Sequence, residues 1–232
     1  MKVEVIAPQL LGRQAATRIS VLLDAAVDAR GTATLAVSGG STPIGLFDAL
    51  AKRSLPWEQI HVLQVDERVA QTGHADRNLT ELRRHLIDVV GLPATNLHAM
   101  PVTSGEPEDA AASYASTLRE VAGDPPVVDV VHLGLGADGH TASLVPGDAV
   151  LDVQDRDVAA TRVYQGRRRV TLTYPALERA RTLIWVVAGE DKQDAVARLW
   201  AGDQSIPAGR VRRAGALLLV DEPAAKGLKP QS

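Results

Sequence analysis

The stretch V-V-H-L-G-L-G-A-D-G-H-T-A-S-L-V-P-G, at residues 130–147, indicates both the fold and the place of a site. Its apolar start belongs to Val127–Leu133, a predicted strand that leads straight into a glycine-rich loop with Asp138 and His140. In an open α/β sheet, ligands bind just outside the carboxyl ends of the strands. The loop is therefore a candidate site, although similar loops also occur as plain turns with a solvated histidine. The next residues, Thr141–Leu144, are predicted to start a helix.

A second glycine-rich loop, S-G-G-S-T-P at residues 38–43, follows the predicted strand Thr34–Val37 and precedes a predicted helix from Ile44 to Ala51. Proline suits the first turn of a helix, so this loop brings free backbone N–H groups to a helix N-terminus, where a phosphate or carboxylate binds well. An ordinary flexible turn is the alternative, but the position between a strand and a helix favours anion binding. The candidate anion-binding residues are Gly39, Gly40, Ser41 and Thr42.

Three further groups of charged residues have two interpretations each. The predicted strand Ile60–Val65 ends in a charged triplet, which is either a solvated loop or places Asp66 and Arg68 at the same sheet edge as the glycine loops. The run Arg167–Arg169 is either a solvated hairpin tip or an anion clamp. Lys192 lies in the first turn of a predicted helix, where it opposes the helix dipole, so it is either neutral in effect or held for an anionic ligand.

Strands alternate with helices from the first predicted strand, Val3–Ala7, to the last, Leu217–Val220. This alternation predicts the α/β class, with a single doubly wound, mostly parallel sheet and helices on both faces in a Rossmann-like arrangement. We expect one domain over residues 1–232, with a frayed polar tail that begins near Asp221. No G-x-G-x-x-G follows the first strand, which argues against a dinucleotide-binding fold.

Apolar spacing supplies the remaining local predictions. The other predicted helices are Leu10–Ala29, Glu106–Val121, Pro175–Arg179 and a segment from Gly189 to Trp200, and the extended segments are Leu97–Met100, Val150–Thr161 and Arg169–Thr173. One more helix is predicted to be capped by Asn78 and to bury a stripe made of Leu79, Leu82, Leu86, Val89 and Val90.

Composition limits the classes of function. The 232 residues are 45% apolar and 23% charged, as in an ordinary globular protein, and the net charge of −3 offers no electrostatic case for binding nucleic acid or an acidic membrane. The absence of cysteine excludes disulfides, thiol catalysis and thiolate metal sites. With no signal-peptide pattern and no apolar run near the roughly 20 residues of a membrane span, we expect a soluble, cytoplasmic protein.

Five motifs occur in an order that is typical of one known family. They are S-G-G-S-T-P at 38–43, V-D-E-R at 65–68, G-L-G-A-D-G-H-T-A-S-L-V-P-G at 134–147, R-V-T-L-T at 169–173 and G-E-D-K at 189–192. Together they resemble the 6-phosphogluconolactonase branch of the glucosamine-6-phosphate isomerase/6-phosphogluconolactonase family, from about Pro8 to Val220. The resemblance implies hydrolysis of 6-phospho-D-glucono-1,5-lactone to 6-phospho-D-gluconate in the oxidative pentose phosphate pathway. It implies a small phosphorylated sugar lactone as ligand, no cofactor, and a monomer or small homo-oligomer.

Two positions favour the lactonase branch over the deaminating branch. The family's deaminating members resemble D-G-H-I-A-F-N-E-P, where a glutamate precedes the proline, but this chain has Val145, which cannot transfer a proton. Those members also tend to have an aromatic residue where this chain has Arg68. The chain departs from the lactonase pattern as well, because Val145 stands where phenylalanine is usual and residues 77–79 read Arg-Asn-Leu instead of Ser-Asn-Tyr.

The resemblance also suggests roles for individual residues. Neutral His140 is expected to take a proton from the attacking water, since an unperturbed imidazole titrates near 6.5. Asp138 is expected to orient the imidazole or the water. Arg68 is the candidate to stabilise the oxyanion, with Asp66 holding Arg68 or contacting a sugar hydroxyl.

The phosphate of the ligand is expected to lie on the backbone amides of residues 39–42. Arg169 and Lys192 are the expected counter-charges. The sequence leaves open which of the three arginines at 167–169 contacts the phosphate.

Other classes of function are less well supported. A serine hydrolase is disfavoured because there is no G-x-S-x-G elbow, and Ser143 lies too near His140 in sequence to form a triad with it. No metal is expected, since Asp138 and His140 are only two candidate ligands, and His132 in the central strand is expected to be buried. A glucosamine-6-phosphate isomerase or deaminase and a non-catalytic sugar-phosphate sensor remain as alternatives. Val145 argues against the first, and the presence of the Asp-Gly-His loop argues against the second.

Overall fold

The computed structural model describes residues 1–40, 42–103 and 105–228. Within these ranges the strands are β1 (Lys2–Ile6), β2 (Ala33–Val37), β3 (Ile60–Gln64), β4 (Asp66–Arg68), β5 (Leu97–His98), β6 (Val130–Leu133), β7 (Val158–Ala160), β8 (Arg169–Leu172), β9 (Thr182–Val187) and β10 (Leu217–Asp221). The α-helices are α1 (Leu11–Arg30), α2 (Thr42–Leu50), α3 (Asn78–Leu82), α4 (Asp88–Val90), α5 (Pro107–Ala122), α6 (Tyr174–Arg179), α7 (Gln193–Ala201) and α8 (Glu222–Ala225).

The main sheet has seven strands in the order β1-β10-β9-β6-β2-β3-β5, and every neighbouring pair is parallel. The chain runs outward from β2 through β3 to β5, and then crosses to β6 on the other side of β2. The strand order therefore reverses between β2 and β6, and a crevice opens there at the carboxyl edge of the sheet. The predicted doubly wound, mostly parallel α/β fold is confirmed.

Helices cover both faces of this sheet, as predicted. On one face, α1 and α2 pack through Ile19 and Phe47 against a core that includes Leu35 and Ile184. On the other face, α5 packs through Tyr114 and Leu118 and is joined by α6 and α7 in a second core cluster that contains Trp185. Because the strands are buried from both sides, they read as near-continuous apolar runs instead of alternating ones.

A second, three-stranded antiparallel sheet in the order β4-β8-β7 stands beside the main sheet. Val65 joins the two sheets, since its N–H donates to Val37 O at 2.9 Å and its carbonyl accepts from Leu172 N at 2.8 Å. The charged triplet at residues 66–68 is thus a strand and not a solvated loop. The predicted extended segment at 150–161 is a strand only at its end, because Ala149–Asp152 forms a 3-10 turn.

Helices α1 and α2 approach each other closely at a pair of glycines. A Cβ at Gly12 would lie 2.5 Å from the carbonyl carbon of Gly45, whereas a Cβ at Gly45 would meet nothing within 4 Å. The contact fixes α2 against the longest helix of the described chain. The start of α2, which falls within residues 38–43, is therefore held in place by residues near the start of the chain.

The prediction of a helix start at 141–144 is wrong. Thr141 and Leu144 form an isolated antiparallel bridge, and Ala142 between them has φ +51°, which a right-handed helix does not allow. The Thr141 hydroxyl donates to Gly134 O at 3.0 Å and turns the chain back onto the glycine loop. A tertiary hydrogen bond thus replaces the helix that the local sequence favours.

The predicted Asn78 cap is also wrong. The helix begins at Asn78, whose side chain makes no cap, and the Glu67 carboxylate instead accepts from the N–H groups of Asn78 and Leu79 at 2.7 and 2.9 Å. Between α3 and α4 the chain forms a π turn at Arg83–Ile87. The extra residue in that turn shifts the helical phase, so Val89 of the predicted buried stripe is 62% exposed while its neighbour Ile87 is buried.

The predicted tail is more ordered than expected at its beginning. Asp221 is buried in β10, and its carboxylate accepts from Ala224 N at 2.9 Å and from Gly189 N at 3.0 Å. The aspartate thereby caps α8 and ties it to the loop that follows β9. No helix in the described ranges is both long enough and apolar enough to cross a membrane.

His132 in β6 is buried, as predicted, and it packs edge-on against Phe47 with ring centroids 6.5 Å apart. Among the described residues, neither of its ring nitrogens has a hydrogen-bond partner. Burial lowers the pKa of His132 to about 4, because a protonated imidazole at this position would lose its hydration.

We predict that His132→Leu reduces the loss of stability in acid. The unfolded chain binds a proton at this residue below a pH of roughly 6.5, but the folded protein does not until pH falls to about 4. Acidification across this window therefore lowers the free energy of unfolding of the wild type, by about 2 to 3 kcal/mol at roughly 1.4 kcal/mol per unit. Urea unfolding at several pH values between 7 and 4 measures this slope, and an identical slope in both proteins would contradict the prediction.

Candidate active site

A cleft opens at the carboxyl edge of the main sheet, where the strand order reverses between β2 and β6, and its cavity volume is about 190 Å³. The predicted site residues that line it are Gly39, Gly40, Thr42, Asp66, Arg68, His140, Arg169 and Lys192. Asp138 stands behind His140, and Ser41 lies outside the described residues. The glycine loops and the charged residues that lie far apart in the sequence therefore meet at one place.

The Asp138–His140 pair is built on the loop after β6. Asp138 Oδ1 lies 2.6 Å from His140 Nδ1 and also accepts from the His140 backbone N–H at 3.2 Å. With Nδ1–H donated to the carboxylate, the Nε2 atom of the neutral imidazole is the one left to act as a base. A Cβ at Gly136 would lie 2.0 Å from His140 Nδ1, so only glycine fits beneath this pair.

Tyr164 also hydrogen-bonds to Asp138, and the sequence did not predict this contact. Its hydroxyl donates to Asp138 Oδ2 at 2.9 Å, so both oxygens of the carboxylate are hydrogen-bonded. Burial raises the pKa of Asp138, but the charge of His140 and the hydrogen bonds from His140 and Tyr164 outweigh it, and the pKa is lowered overall. Asp138 therefore stays ionised beside the imidazole. A tyrosine 26 residues away carries no local sequence signal for this contact.

Asn78 joins Asp66 and Arg68. Its Nδ2 donates to the Asp66 carbonyl at 2.9 Å and to Asp66 Oδ1 at 3.3 Å, while its Oδ1 accepts from Arg68 Nη1 at 2.7 Å. Asp66 was expected to hold Arg68 or to contact a sugar hydroxyl, and the structure places the amide of Asn78 between Asp66 and Arg68. A Cβ at Gly39 would lie 2.0 Å from Asn78 Oδ1, so this amide also underlies the anion loop.

Side chains alternate between the two faces of β4, so its three charged side chains do not all point the same way. Asp66 and Arg68 face the cleft, whereas Glu67 points away and is fully buried. Glu67 Oε2 lies 2.9 Å from Arg77 Nε and also accepts from Gln64 Nε2 at 2.9 Å. The period of two along a strand could have identified Glu67 as the inward residue if the triplet had been read as a strand.

Arg169 enters the cleft from β8 and is nearly buried. Its Nη2 donates to Gln165 Oε1 at 3.2 Å, and its Nη1 lies 3.5 Å from Ser143 Oγ, which itself donates to Asp66 Oδ2 at 2.5 Å. Burial lowers the pKa of Arg169, and the nearby Asp66 carboxylate offsets part of that effect. Among the described residues, the buried Nε atoms of Arg68 and Arg169 have no hydrogen-bond partner.

The other two arginines of the run do not line the cleft. Arg167 Nε donates to Asp76 Oδ2 at 2.8 Å, and Arg168 forms an ion pair with Glu108. The segment therefore combines a surface hairpin with one arginine that enters the cleft. Arg167 and Arg168 are paired on the surface of the hairpin, and Arg169 faces the cleft.

Backbone geometry shapes the anion end of the cleft. Ser38 N–H donates to His132 O at 3.2 Å and links the end of β2 to β6, and Gly40 has φ +113°, which favours glycine. Thr42 begins α2. Lys192 ends a 3-10 turn at Glu190–Lys192 immediately before α7, and its Nζ lies 2.9 Å from Asp191 Oδ2.

The remaining histidines lie elsewhere. His61 and His98 contact each other, with 3.0 Å between Nδ1 and Nε2, and His85 pairs with Asp48. Within residues 1–40, 42–103 and 105–228, no three histidine, aspartate or glutamate side chains converge as a metal site would require. The absence of a metal from the reaction stays a prediction.

The fold and the site define a doubly wound α/β protein with a glycine loop at a helix N-terminus and an aspartate-oriented histidine at one sheet edge. Residues 7–219 match the model of the family described as glucosamine-6-phosphate isomerases/6-phosphogluconolactonase, and the chain belongs to this family.

Relatives and a solved structure agree with this placement. The chain is 38% identical to a 6-phosphogluconolactonase from Synechocystis sp., over 96% of this chain and 95% of the relative. It is 40% identical to a 6-phosphogluconolactonase from Nostoc sp., over 88% and 87%. A crystal structure of a 6-phosphogluconolactonase from Shewanella baltica superposes with a TM-score of 0.83 at 29% identity, covering 95% of this chain and 96% of that one.

Proposed function

We propose that this protein is an enzyme that hydrolyses 6-phospho-D-glucono-1,5-lactone to 6-phospho-D-gluconate in the oxidative pentose phosphate pathway. The observation that carries the proposal is the Asp138–His140 pair, which presents a histidine oriented by a carboxylate to a cleft that also holds an anion loop. The names of the relatives, 6-phosphogluconolactonases at 38% and 40% identity over most of the chain, support the same substrate.

The chemistry requires one base and a stabilised oxyanion. In the proposed mechanism, His140 Nε2 removes a proton from water as the water oxygen attacks the lactone carbonyl carbon, C1. The tetrahedral intermediate then collapses, the bond from C1 to the ring oxygen breaks, and the imidazolium returns the proton to that oxygen. Asp138 holds the imidazole in the required tautomer and stabilises its charged form, as the 2.6 Å contact with Nδ1 supports.

Arg68 is the proposed donor to the oxyanion, and Asp66 the proposed contact for a sugar hydroxyl. The position of Arg68 in the cleft lining supports this role, because its hydrogen bonds to Asn78 and the Asp76 carbonyl both use Nη1 and, among the described residues, leave Nη2 as a donor. Asp66 Oδ2 already accepts from Ser143 Oγ, which limits how far the carboxylate can turn.

The phosphate is proposed to lie on the amides of residues 39–42, between Arg169 and Lys192. All three groups line one cleft, apart from Ser41, whose part stays a prediction outside the described residues. Helix N-terminal amides and two cations favour a dianion.

Val145 supports the lactonase over the deaminase within this family. Its side chain is buried in the apolar interior and is not part of the cleft lining, so it supplies no acid or base there. A non-catalytic sensor would need the anion loop but not the Asp138–His140 pair. The cytoplasmic location and the oligomeric state stay predictions.

The substrate assignment predicts that the protein accelerates lactone hydrolysis and releases no ammonia from glucosamine 6-phosphate. Deamination needs further proton transfers that Val145 cannot provide. Lactone loss should be measured against the spontaneous reaction, with and without EDTA, since His140 and Arg68 need no Lewis acid. Ammonia release at a catalytic rate would refute the lactonase assignment, and sensitivity to EDTA would refute only the metal-free mechanism.

The base assignment predicts that His140→Ala loses about 10²-fold or more of the enzymatic rate while remaining folded. His85→Ala is the control, because His85 is bound to Asp48 on a helical face away from the cleft and should keep the wild-type rate. Circular dichroism and thermal unfolding establish that both variants are folded. A folded His140→Ala variant with more than half the wild-type rate would exclude the general-base role.

The anion assignment predicts that phosphate and 6-phosphogluconate raise the melting temperature, and that gluconate raises it far less. A ligand that binds only the folded state stabilises that state by an amount that grows with the logarithm of its concentration divided by its Kd. Combining Arg169→Ala with Lys192→Ala should remove the phosphate effect. The control is the neighbouring Arg168→Ala, whose guanidinium pairs with Glu108 outside the cleft and which should retain the effect. Equal shifts with phosphate and gluconate would contradict the proposed pocket.

A further inference from the structure

Tyr164 occupies the tip of the hairpin that connects β7 to β8. Its N–H donates to Arg167 O at 2.9 Å, and Arg167 N–H donates back at 3.3 Å. The two residues between them, Gln165 and Gly166, have φ of +51° and +78°. Positive φ at both central positions is the geometry of a type I′ turn, the tight connection that matches the twist of paired strands. The tyrosine is therefore held on a defined turn and not on a loose loop.

Three residues of the cleft region meet at this side chain. The hydroxyl donates to Asp138 Oδ2 at 2.9 Å, and the ring contacts the His140 ring edge-on, with centroids 5.6 Å apart at 66°. The guanidinium carbon of Arg169 lies 4.9 Å from the ring centroid, on the face of the ring, which is a cation–π arrangement. The Tyr164 side chain thus contacts both the Asp138–His140 pair and Arg169, the residue proposed to bind the substrate phosphate.

We propose that Tyr164 is a positioning residue with two separable actions: its hydroxyl sets the orientation and proton affinity of the Asp138–His140 pair, and its ring holds Arg169 for the substrate phosphate. This inference rests on the proposed lactonase function. It assigns Tyr164 no contact with the reacting atoms.

The hydroxyl acts through Asp138. A carboxylate that accepts from His140 on one oxygen and from Tyr164 on the other cannot rotate without losing a hydrogen bond. The second donor also withdraws charge from the carboxylate, which weakens its hold on a proton shared with the imidazole. Burial raises the pKa of Tyr164, and the hydrogen bond to Asp138 raises it further, so the phenol remains a donor at neutral pH.

The ring acts through Arg169. Its guanidinium is also held by Gln165 Oε1, by a long contact with Ser143 and by the charge of Asp66, and the aromatic face adds a contact on the side of Tyr164. The charged groups that face the Asp138–His140 pair from neighbouring elements are Arg169 from β8, Asp66 and Arg68 from β4, and Lys192 before α7. None of these changes in the substitutions below.

Two substitutions separate the two actions. Tyr164→Phe keeps the ring and removes the hydroxyl, whereas Tyr164→Leu removes both. Arg168→Ala is the control, because it changes the same hairpin at a residue that pairs with Glu108 outside the cleft. The measurements are the pH profile of kcat/KM for lactone hydrolysis, the Kd for inorganic phosphate, and the pKa of His140 from an NMR titration.

In Tyr164→Phe, we expect the pKa of His140 and the acid limb of the pH profile to rise together by roughly half a unit, because Asp138 without its second donor holds the imidazolium more strongly. The maximal kcat should fall about 3- to 10-fold, and the Kd for phosphate should stay within about twofold of the wild type. In Tyr164→Leu, the same rise should be joined by a phosphate Kd that is about 3- to 10-fold weaker, the range of a cation–π contact. Arg168→Ala should match the wild type in all three measurements.

The outcomes that would overturn the proposal are clear. An unchanged His140 pKa in Tyr164→Phe would exclude the action of the hydroxyl, and an unchanged phosphate Kd in Tyr164→Leu would exclude that of the ring. Equal rate losses in both variants without any change in pH profile would reduce Tyr164 to a structural role. A wild-type protein that does not hydrolyse the lactone would refute the proposed function instead, and the NMR and phosphate measurements would still test Tyr164.

Discussion

The cleft depends on the hydrogen bonds and the ion pair of the buried Glu67 carboxylate. It accepts hydrogen bonds from the backbone N–H groups of Asn78 and Leu79 and lies against Arg77, so it joins β4, the loop that follows it and the start of α3. A buried charge is costly unless its oxygens are satisfied, and here the donors come from three segments at once. Removing the carboxylate would leave Arg77 buried without its partner. Asn78, which supports Arg68, would lose its position with it.

The topology explains why so many distant residues meet. A doubly wound sheet brings the loops after β2 and β6 together where the strand order reverses, and the small sheet adds β4 and β8 through the single junction at Val65. The proposed reaction needs little more than this, since a lactone is already an activated ester. The proposed base, oxyanion donor and anion site are positioned before a substrate arrives, and preorganised polar groups of this kind cost no rearrangement during the reaction.

Sequence patterns predicted the parts of the molecule that depend on local periodicity and on the general rules of α/β folds. The glycine loops and the parallel sheet followed from them, whereas Arg169 and Lys192 were assigned to the site through the family resemblance, and Asn78, which also lines the cleft, was predicted only as a helix cap. The failures have a common cause in tertiary contacts: Thr141 bonds to Gly134 instead of starting a helix, and Glu67 caps the helix assigned to Asn78. Tyr164 could not be found from sequence, because its partner lies on another loop and a tyrosine at a turn has no distinctive pattern.

The ion pairs that Arg167 and Arg168 form with acidic residues also limit which anions the protein attracts. Three consecutive arginines on an exposed hairpin would ordinarily draw in polyanions through their summed field. Here Asp76 and Glu108 neutralise Arg167 and Arg168 at the surface, and the charge of Arg169 is directed inward. Beside the proposed phosphate site, the described hairpin therefore presents no run of unpaired arginines. Nucleic acids and polyphosphates, which need many contacts to bind, should compete poorly with a phosphorylated sugar for this cleft.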